Sequence, residues 1–283
     1  MYSNIKSELF FLKQFGFSNN LLEMIYVTNS SPIDSIFRYN LSENKLPFTE
    51  KDKELSHYPE AYLNFKNEFF NSDEFLQNTS KNNKIFFKFD DSNLTSLIPQ
   101  SKMPLFMYAK GDETLLSQER KRIAIVGTRK PSEASLFLTK KIVKKHLDLG
   151  YIIVSGLAEG IDTASHIATL DSGGKTIAVL PTNFKEIYPK RNKELAQKIA
   201  QHGLLLSATG SNENTYKSSF LKRNEYLVYI SDIILVTETH LKSGTMNTIR
   251  NASMSQKKIL YLKQDNPEVN KKIEKFGGSL IDI

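Results

Sequence analysis

From residue 84 onward, short apolar runs alternate with polar stretches in the rhythm of strands and helices. Ile85-Phe86-Phe87-Lys88-Phe89 reads as a strand, and Pro104-Leu105-Phe106-Met107-Tyr108 as another, closed by Gly111. Residues 122–126 form a buried strand, followed by a polar loop and a helix over about residues 131–149. Residues 151–154 form the next strand, followed by the loop 156–160 and a helix through Leu170. The pattern repeats with a strand at 175–180, a helix at 192–201 and a short strand at 204–207. A strand at 233–236, Ser243-Gly244 with a helix to about Met254, and a strand at 258–262 complete it. Near-continuous apolar strands between helices predict an α/β domain, a mostly parallel sheet with helices on both faces.

Residues 1–82 have a different texture, rich in Phe, Asn, Ser and charge and poor in Gly. Leu9, Leu12 and Phe15, then Leu21, Leu22, Met24 and Ile25, recur at roughly helical spacing, with Ser18 placed to cap the second run. Ser31-Pro32 opens another short run, and residues 52–75 again read as helix. A small helical module over 1–82, a polar linker at 78–83 and a second domain over 83–283 follow from this change.

Composition narrows the chemistry. With no cysteine in 283 residues, disulfides and thiolate metal sites are excluded, and a cytoplasmic location is the default expectation. No run of about 18–20 apolar residues offers a membrane span, and the N-terminus lacks a signal peptide's apolar core. A net charge of +7 suits a polyanionic partner, and equally suits a merely lysine-rich surface.

In such a sheet, ligands bind beyond the carboxyl ends of the strands, at helix N-termini. The first loop there is Gly127-Thr128-Arg129-Lys130-Pro131, where Arg129 either grips a phosphate or is simply solvated. The second is Ser155-Gly156-Leu157-Ala158-Glu159-Gly160, whose glycines allow close backbone approach. Asp162 and His166 share a helix face just beyond it, as a metal or acid–base pair or, by preference, a hydrogen-bonded pair that holds the helix start. The third contains Tyr188-Pro189-Lys190-Arg191-Asn192, and the fourth combines Lys222-Arg223-Asn224 with Ser243-Gly244-Thr245. Together they predict one phosphate-lined cleft without a cofactor.

In order along the chain, Val126-Gly127-Thr128-Arg129, residues 155–162 with His166, Tyr188-Pro189, Arg223-Asn224 and Ser243-Gly244-Thr245 resemble the motifs of the DprA/Smf DNA-processing family. The resemblance covers about residues 84–250 and implies a Rossmann-like fold. Residues 9–40 are similar to that family's N-terminal helical (SAM or helix-hairpin-helix-like) domain, with Gly16 the one glycine there. The resemblance implies a non-enzymatic, cytoplasmic protein that binds single-stranded DNA without sequence specificity, dimerises, and helps load a RecA-type recombinase in natural transformation. It implies a DNA pocket made of Gly127, Thr128, Arg129, Ser155, Gly156, Leu157, Ala158, Gly160, Lys222, Arg223, Asn224, Ser243, Gly244 and Thr245. Phe184, Tyr188 and Tyr216 are available for stacking on bases and suit core packing equally.

There are departures from the family pattern. Residues 246–251 replace a small-residue helix, Lys263-Gln264 replaces a Pro-Gly, and residues 209–218 are a polar run. The sequence stops soon after residues 277–281, so a C-terminal winged helix is not expected. A nucleotide-binding sensor on the same fold is the alternative. A LOG-type nucleotide hydrolase ranks last, because its glycine pair and glutamate are missing around Ser243.

Overall fold

In a computed structural model, which describes residues 5–38, 46–72 and 83–282, nine strands form one sheet. In chain order they are β1 (Asn83–Phe87), β2 (Phe106–Gly111), β3 (Arg122–Val126), β4 (Ile152–Ser155), β5 (Thr176–Leu180), β6 (Leu204–Ser207), β7 (Ile233–Val236), β8 (Lys258–Tyr261) and β9 (Gly278–Leu280). Across the sheet they run β1-β2-β6-β5-β4-β3-β7-β8-β9. β1, β2 and β6 pair antiparallel, and every pair from β6 to β9 is parallel. The chain winds outward from β3 on one side through β4, β5 and β6, then returns to β3's other edge with β7. The sheet therefore reverses its winding between β3 and β7, the place where such sheets open a crevice for ligands. This is the mostly parallel sheet that the strand pattern predicts, in the Rossmann-like arrangement that the family resemblance implies.

Side-chain alternation along the strands fills two layers. Ala124, Val126, Val154, Ile177 and Val179 face Leu227 of α9 (Lys217–Tyr229) and Ile249 of α10 (Gly244–Met254). Ile123, Ile125 and Ile153 face Ile142 and Val143 of α6 (Glu133–Asp148) and Ile161 of α7 (Ile161–Asp171). Ala178 and Leu180 meet Ala196 and Ile199 of α8 (Lys193–His202). A strand covered on both faces cannot show a polar side, which is why β3 to β7 read as apolar runs.

A buried charge breaks that pattern. Arg122 opens β3 and is 1% exposed. Its Nε donates to Ile230 O at 2.6 Å and its Nη1 to Ser117 O at 2.7 Å, while its backbone N–H donates to Asp232 Oδ2 at 2.7 Å. Burial lowers its pKa, and the nearby Asp232 carboxylate opposes that shift.

The N-terminal helices are α1 (Ile5–Phe15), α2 (Asn19–Val27), α3 (Glu50–Ser56) and α4 (Pro59–Phe70), with a π-helical turn at Asp34–Arg38. The helix predicted over 52–75 is thus two helices, because Pro59 starts a new one. Residues 73–82, which hold most of the predicted linker, lie outside the described residues, and Asn83 opens β1. Ser18 stands at the N-cap of α2 but does not cap it, and its hydroxyl donates to Asp52 Oδ2 at 2.7 Å. Asp52 also closes a capping box with Thr49 at the start of α3. Leu9, Leu12, Leu21 and Tyr62 share one buried cluster with Phe87, Leu105, Phe106 and Tyr108 of the sheet's antiparallel end. Phe10 meets Phe106 edge to face at 5.6 Å, and Gln14 Nε2 donates to Tyr108 OH at 2.7 Å. α5 (Asn93–Leu97) follows β1.

Among the described residues, four helices or strands lie beyond those predicted: the short α5, α9, α11 (Pro267–Lys275) and the edge strand β9. α9 escapes pattern reading because its inner face carries Arg223 and Asn224 between Phe220 and Leu227. Both polar residues are buried, so the helical period is present in burial but absent in hydrophobicity. Among the described residues no helix is long and apolar enough to cross a membrane.

Candidate functional site

The loops after β3, β4 and β7 converge at the switch point between β3 and β7. They enclose a cleft of about 280 Å³ whose lining includes Gly127, Thr128, Arg129, Ala158, Arg223, Asn224, Ser243, Gly244 and Thr245. A small neighbouring recess adds Gly156, Glu159, Tyr188 and Pro189. Arg129, Ala158, Phe220 and Arg223 line both. Most of the residues predicted from the sequence therefore meet in one place.

Glycines set the spacing of these loops, each for a different neighbour. A side chain on Gly127 would strike Ile161, its first carbon 2.5 Å from Cγ1. Gly160 has φ +76°, and a Cβ there would stand 2.3 Å from Thr128 O. Gly156 gives way to Arg223, whose Nη1 lies 1.6 Å from where a Cβ would be. The glycines at 127, 156 and 160 thus let the protein pack on itself. Of the four glycines at 127, 156, 160 and 244, Gly244 alone looks onto open space, with nothing within 4 Å of its absent side chain.

The second loop departs from the expected phosphate cradle. Asp162 turns back and its Oδ2 accepts from Gly156 N at 3.2 Å and Ala158 N at 3.3 Å. Ile161 N donates to Thr128 O at 3.2 Å. The amides that would have met a phosphate are occupied by a carboxylate and a carbonyl of the same chain. Ser155 and Leu157 are fully buried; Ser155 Oγ donates to Ile125 O at 2.7 Å, and Leu157 packs with Ala178 and Leu180. Neither side chain reaches the cleft.

Arg223 and Asn224 lie on α9, not on a loop as the sequence suggested. Arg223 Nη1 donates to Gly156 O and, at 3.3 Å, to Val179 O, and it lies 4.0 Å from Asp162 Oδ2. Burial lowers the Arg223 pKa, Asp162 opposes that and Arg129 adds to it. Burial likewise raises the Asp162 carboxyl, against the pull of Arg223 and the two loop amides. Arg223 is thus part of the wall. Asn224 Nδ2 reaches Gly244 O and Asn247 Oδ1, both at 3.4 Å, and ties α9 to α10. Lys222 points away from this cleft, into an adjoining one beside the N-terminal helices.

The groups left facing the cleft are Arg129 and the start of α10. Arg129 is exposed, and no carboxylate pairs with it among the described residues. Ser243 caps α10 by accepting from Met246 N at 3.2 Å, and Thr245 Oγ1 donates to Gly127 O at 3.0 Å. The first-turn N–H groups of α10 have no intrahelical acceptors and carry the helix's positive end. Gln264 holds this loop in place: its Oε1 accepts from Thr239 N at 2.7 Å and its Nε2 donates to Thr237 O at 3.0 Å. Glu238 fixes the facing loop by accepting from Ser132 N at 2.8 Å. Burial alone would raise Glu238, but bonds from Ser132 and Ser135 and the nearby His240 outweigh it and lower its pKa.

The expected Asp162–His166 pair does not form. His166 Nδ1 instead bonds Thr176 Oγ1 at 2.7 Å, and the Thr176 hydroxyl donates to Ile153 O at 2.8 Å. His166 must therefore donate from Nδ1, which leaves Nε2 as a bare acceptor. Burial, with Arg223 adding to it, lowers the His166 pKa to about 3, so the ring is neutral near pH 7. Arg191 pairs with Glu159 at 2.8 Å, and Asn192 Nδ2 donates to Leu157 O at 2.9 Å. Tyr188 is about half exposed and meets Phe220 edge to face at 5.5 Å. Phe220 was not singled out in the sequence because the helix that carries it was not foreseen. Among the described residues no group of His, Asp and Glu gathers to hold a metal ion.

The family model described as DNA recombination-mediator protein A matches residues 85–276. DNA processing protein DprA of Bacillus subtilis is 40% identical over 145 residues, 51% of this chain and 48% of that protein. Protein Smf of Synechocystis is 33% identical over 199 residues, 69% of this chain and 50% of its own length. The chain spans about half the length of these curated relatives. The X-ray structure of DNA processing protein A from Streptococcus pneumoniae superimposes with a TM-score of 0.70 at 26% identity, over 99% of this chain and 95% of that one. The Helicobacter pylori protein, solved for its single-stranded DNA binding mode, gives 0.62 at 30% identity, over 71% and 91%.

Proposed function

Because the chain belongs to the DNA recombination-mediator protein A family, we propose that it binds single-stranded DNA without sequence preference and acts in DNA processing without being an enzyme. The observation that carries this is the pairing, across one cleft, of Arg129, which has no carboxylate partner among the described residues, with the first turn of α10, where Ser243 takes only Met246 N. A guanidinium fork and a row of helix N–H groups suit a phosphodiester, and neither reads a base. Tyr188 and Phe220 beside them offer ring faces to bases of any kind. The single-stranded DNA binding of the H. pylori relative supports the same assignment. In this role the chain works as a dimer and helps load a RecA-type recombinase on DNA taken up in natural transformation, in the cytoplasm.

Fluorescence anisotropy with labelled oligo-dT, duplex competitor and a salt titration tests it. Preference for the single strand is expected, with log affinity falling against log salt by about 0.7 per phosphate held. Absence of binding at low salt would exclude it, and free nucleotides would then be the ligands to screen in the same cleft.

A further inference from the structure

A second cleft, of about 300 Å³, lies between the N-terminal helices and the sheet domain. Arg223 lines this cleft as well as the first, so the two adjoin across one side chain. Its walls come from both parts of the chain: Lys13, Asn19 and Lys51 from the helices, Lys222 and the segment around Glu213 from the sheet domain. Lys13 is taken up by Glu213, 3.1 Å away, which binds the two walls together. Lys51 and Lys222 have no such acidic partner among the described residues and both are exposed. Lys51 Nζ lies over Gly16, where a Cβ would be 3.2 Å away.

The same cleft gathers polar atoms that the protein leaves unsatisfied. Asn19 Oδ1 and Arg223 Nε in its lining are buried and without hydrogen-bond partners, as are Ser211 Oγ and Thr215 Oγ1 in the segment that forms one wall. Buried polar groups without partners are uncommon and costly. Two of them, on Asn19 and Arg223, belong to the lining of this opening, and they mark a place suited to a polar occupant. Two lysines with donors and acceptors between them suit a phosphate and an adjoining sugar or base edge.

We propose that this cleft is a second nucleotide subsite, in which the N-terminal module extends the path of a single strand held in the first cleft. This rests on the DNA-binding function proposed above. The strand crosses Arg223, and Lys51 and Lys222 neutralise its next phosphates. The helical module is then part of the DNA-binding surface, and the footprint is longer than the sheet domain alone would give.

Lys51→Glu in the full chain tests the extension, with Lys51→Gln as the milder variant. Lys51 lies in the first turn of α3, where an acidic residue favours the helix, so the fold is not at risk. Oligo-dT of about six nucleotides is compared with one of about sixteen, spanning the range of single-strand site sizes. The longer strand is expected to lose roughly fivefold in affinity and about 0.7 of salt slope, while the shorter one is unchanged. Equal affinities of wild type and variant for the longer strand would overturn the second subsite and leave the first standing. An equal loss for both lengths would also overturn it, because Lys51 would then act by general charge. Failure of the wild type to bind either strand would remove the DNA-binding function itself.

Discussion

The guanidinium of Arg223 fills the space that a side chain on residue 156 would occupy, with Nη1 only 1.6 Å from the position of a Gly156 Cβ. A helix from beyond β6 thereby closes on the loop after β4, and Asp162 completes the contact from the far side. The glycine of this loop serves a buried arginine. Gly156→Ala is accordingly expected to act on stability. Expelling Arg223 from its carbonyl partners and from Asp162 should cost about 3 kcal/mol, from overpacking and a broken buried pair. Urea denaturation measures it, and an unchanged midpoint would show that the arginine has another place to go.

Arg129 is the opposite case, exposed and without an ion-pair partner among the described residues. Arg129→Ala should leave the thermal midpoint close to wild type. It should weaken oligo-dT binding about tenfold, as loss of one charge-assisted contact does. The salt slope should fall by about 0.7 with it. Wild-type affinity in this variant would place the strand elsewhere.

His166 gives a pH dependence whose sign can be worked out. Its pKa falls from 6.5 in the free side chain to about 3 in the fold, so the unfolded chain binds more protons between those values. Stability from this residue is complete above about pH 6.5 and declines as pH falls toward 3, by at most about 1.4 kcal/mol per unit. His166→Gln cannot titrate. Unfolding free energies of the two proteins should therefore converge as pH drops from 7 to 4.5. Parallel profiles would mean that the ring protonates in the folded state.

The N-terminal helices cover Phe87, Phe106 and Tyr108 at the antiparallel end of the sheet. We propose that residues 83–283 fold as a domain when residues 1–82 are removed, but with that aromatic surface bare. Circular dichroism should retain the α/β signature, while the shortened chain binds a hydrophobic dye and self-associates. A monomeric, dye-silent product would mean that these rings repack, and loss of the circular dichroism signature would mean that the domain needs its helices.

Residue types and their order were enough to locate eight of the nine described strands, but not the edge strand β9 or the order in which they pair. The strands at 122–126, 204–207 and 233–236 match β3, β6 and β7 to the residue, because strands buried on both faces are apolar along most of their length, with Arg122 and Ser207 as polar ends. The loops that carry the cleft were legible for the same reason, since strand ends and helix starts locate them. Which groups in those loops remain available was decided only in three dimensions. Asp162 and His166 share a helix face in any helix, yet one satisfies the loop amides and the other bonds Thr176 on β5. Arg223 and Lys222 are neighbours in sequence, yet α9 turns the first into the wall and the second toward another cleft. Local sequence sets periodicity and breaks. Whether a polar group faces a ligand or another part of the chain depends on which distant segments supply its partner, and that is settled only when the loops close on one another.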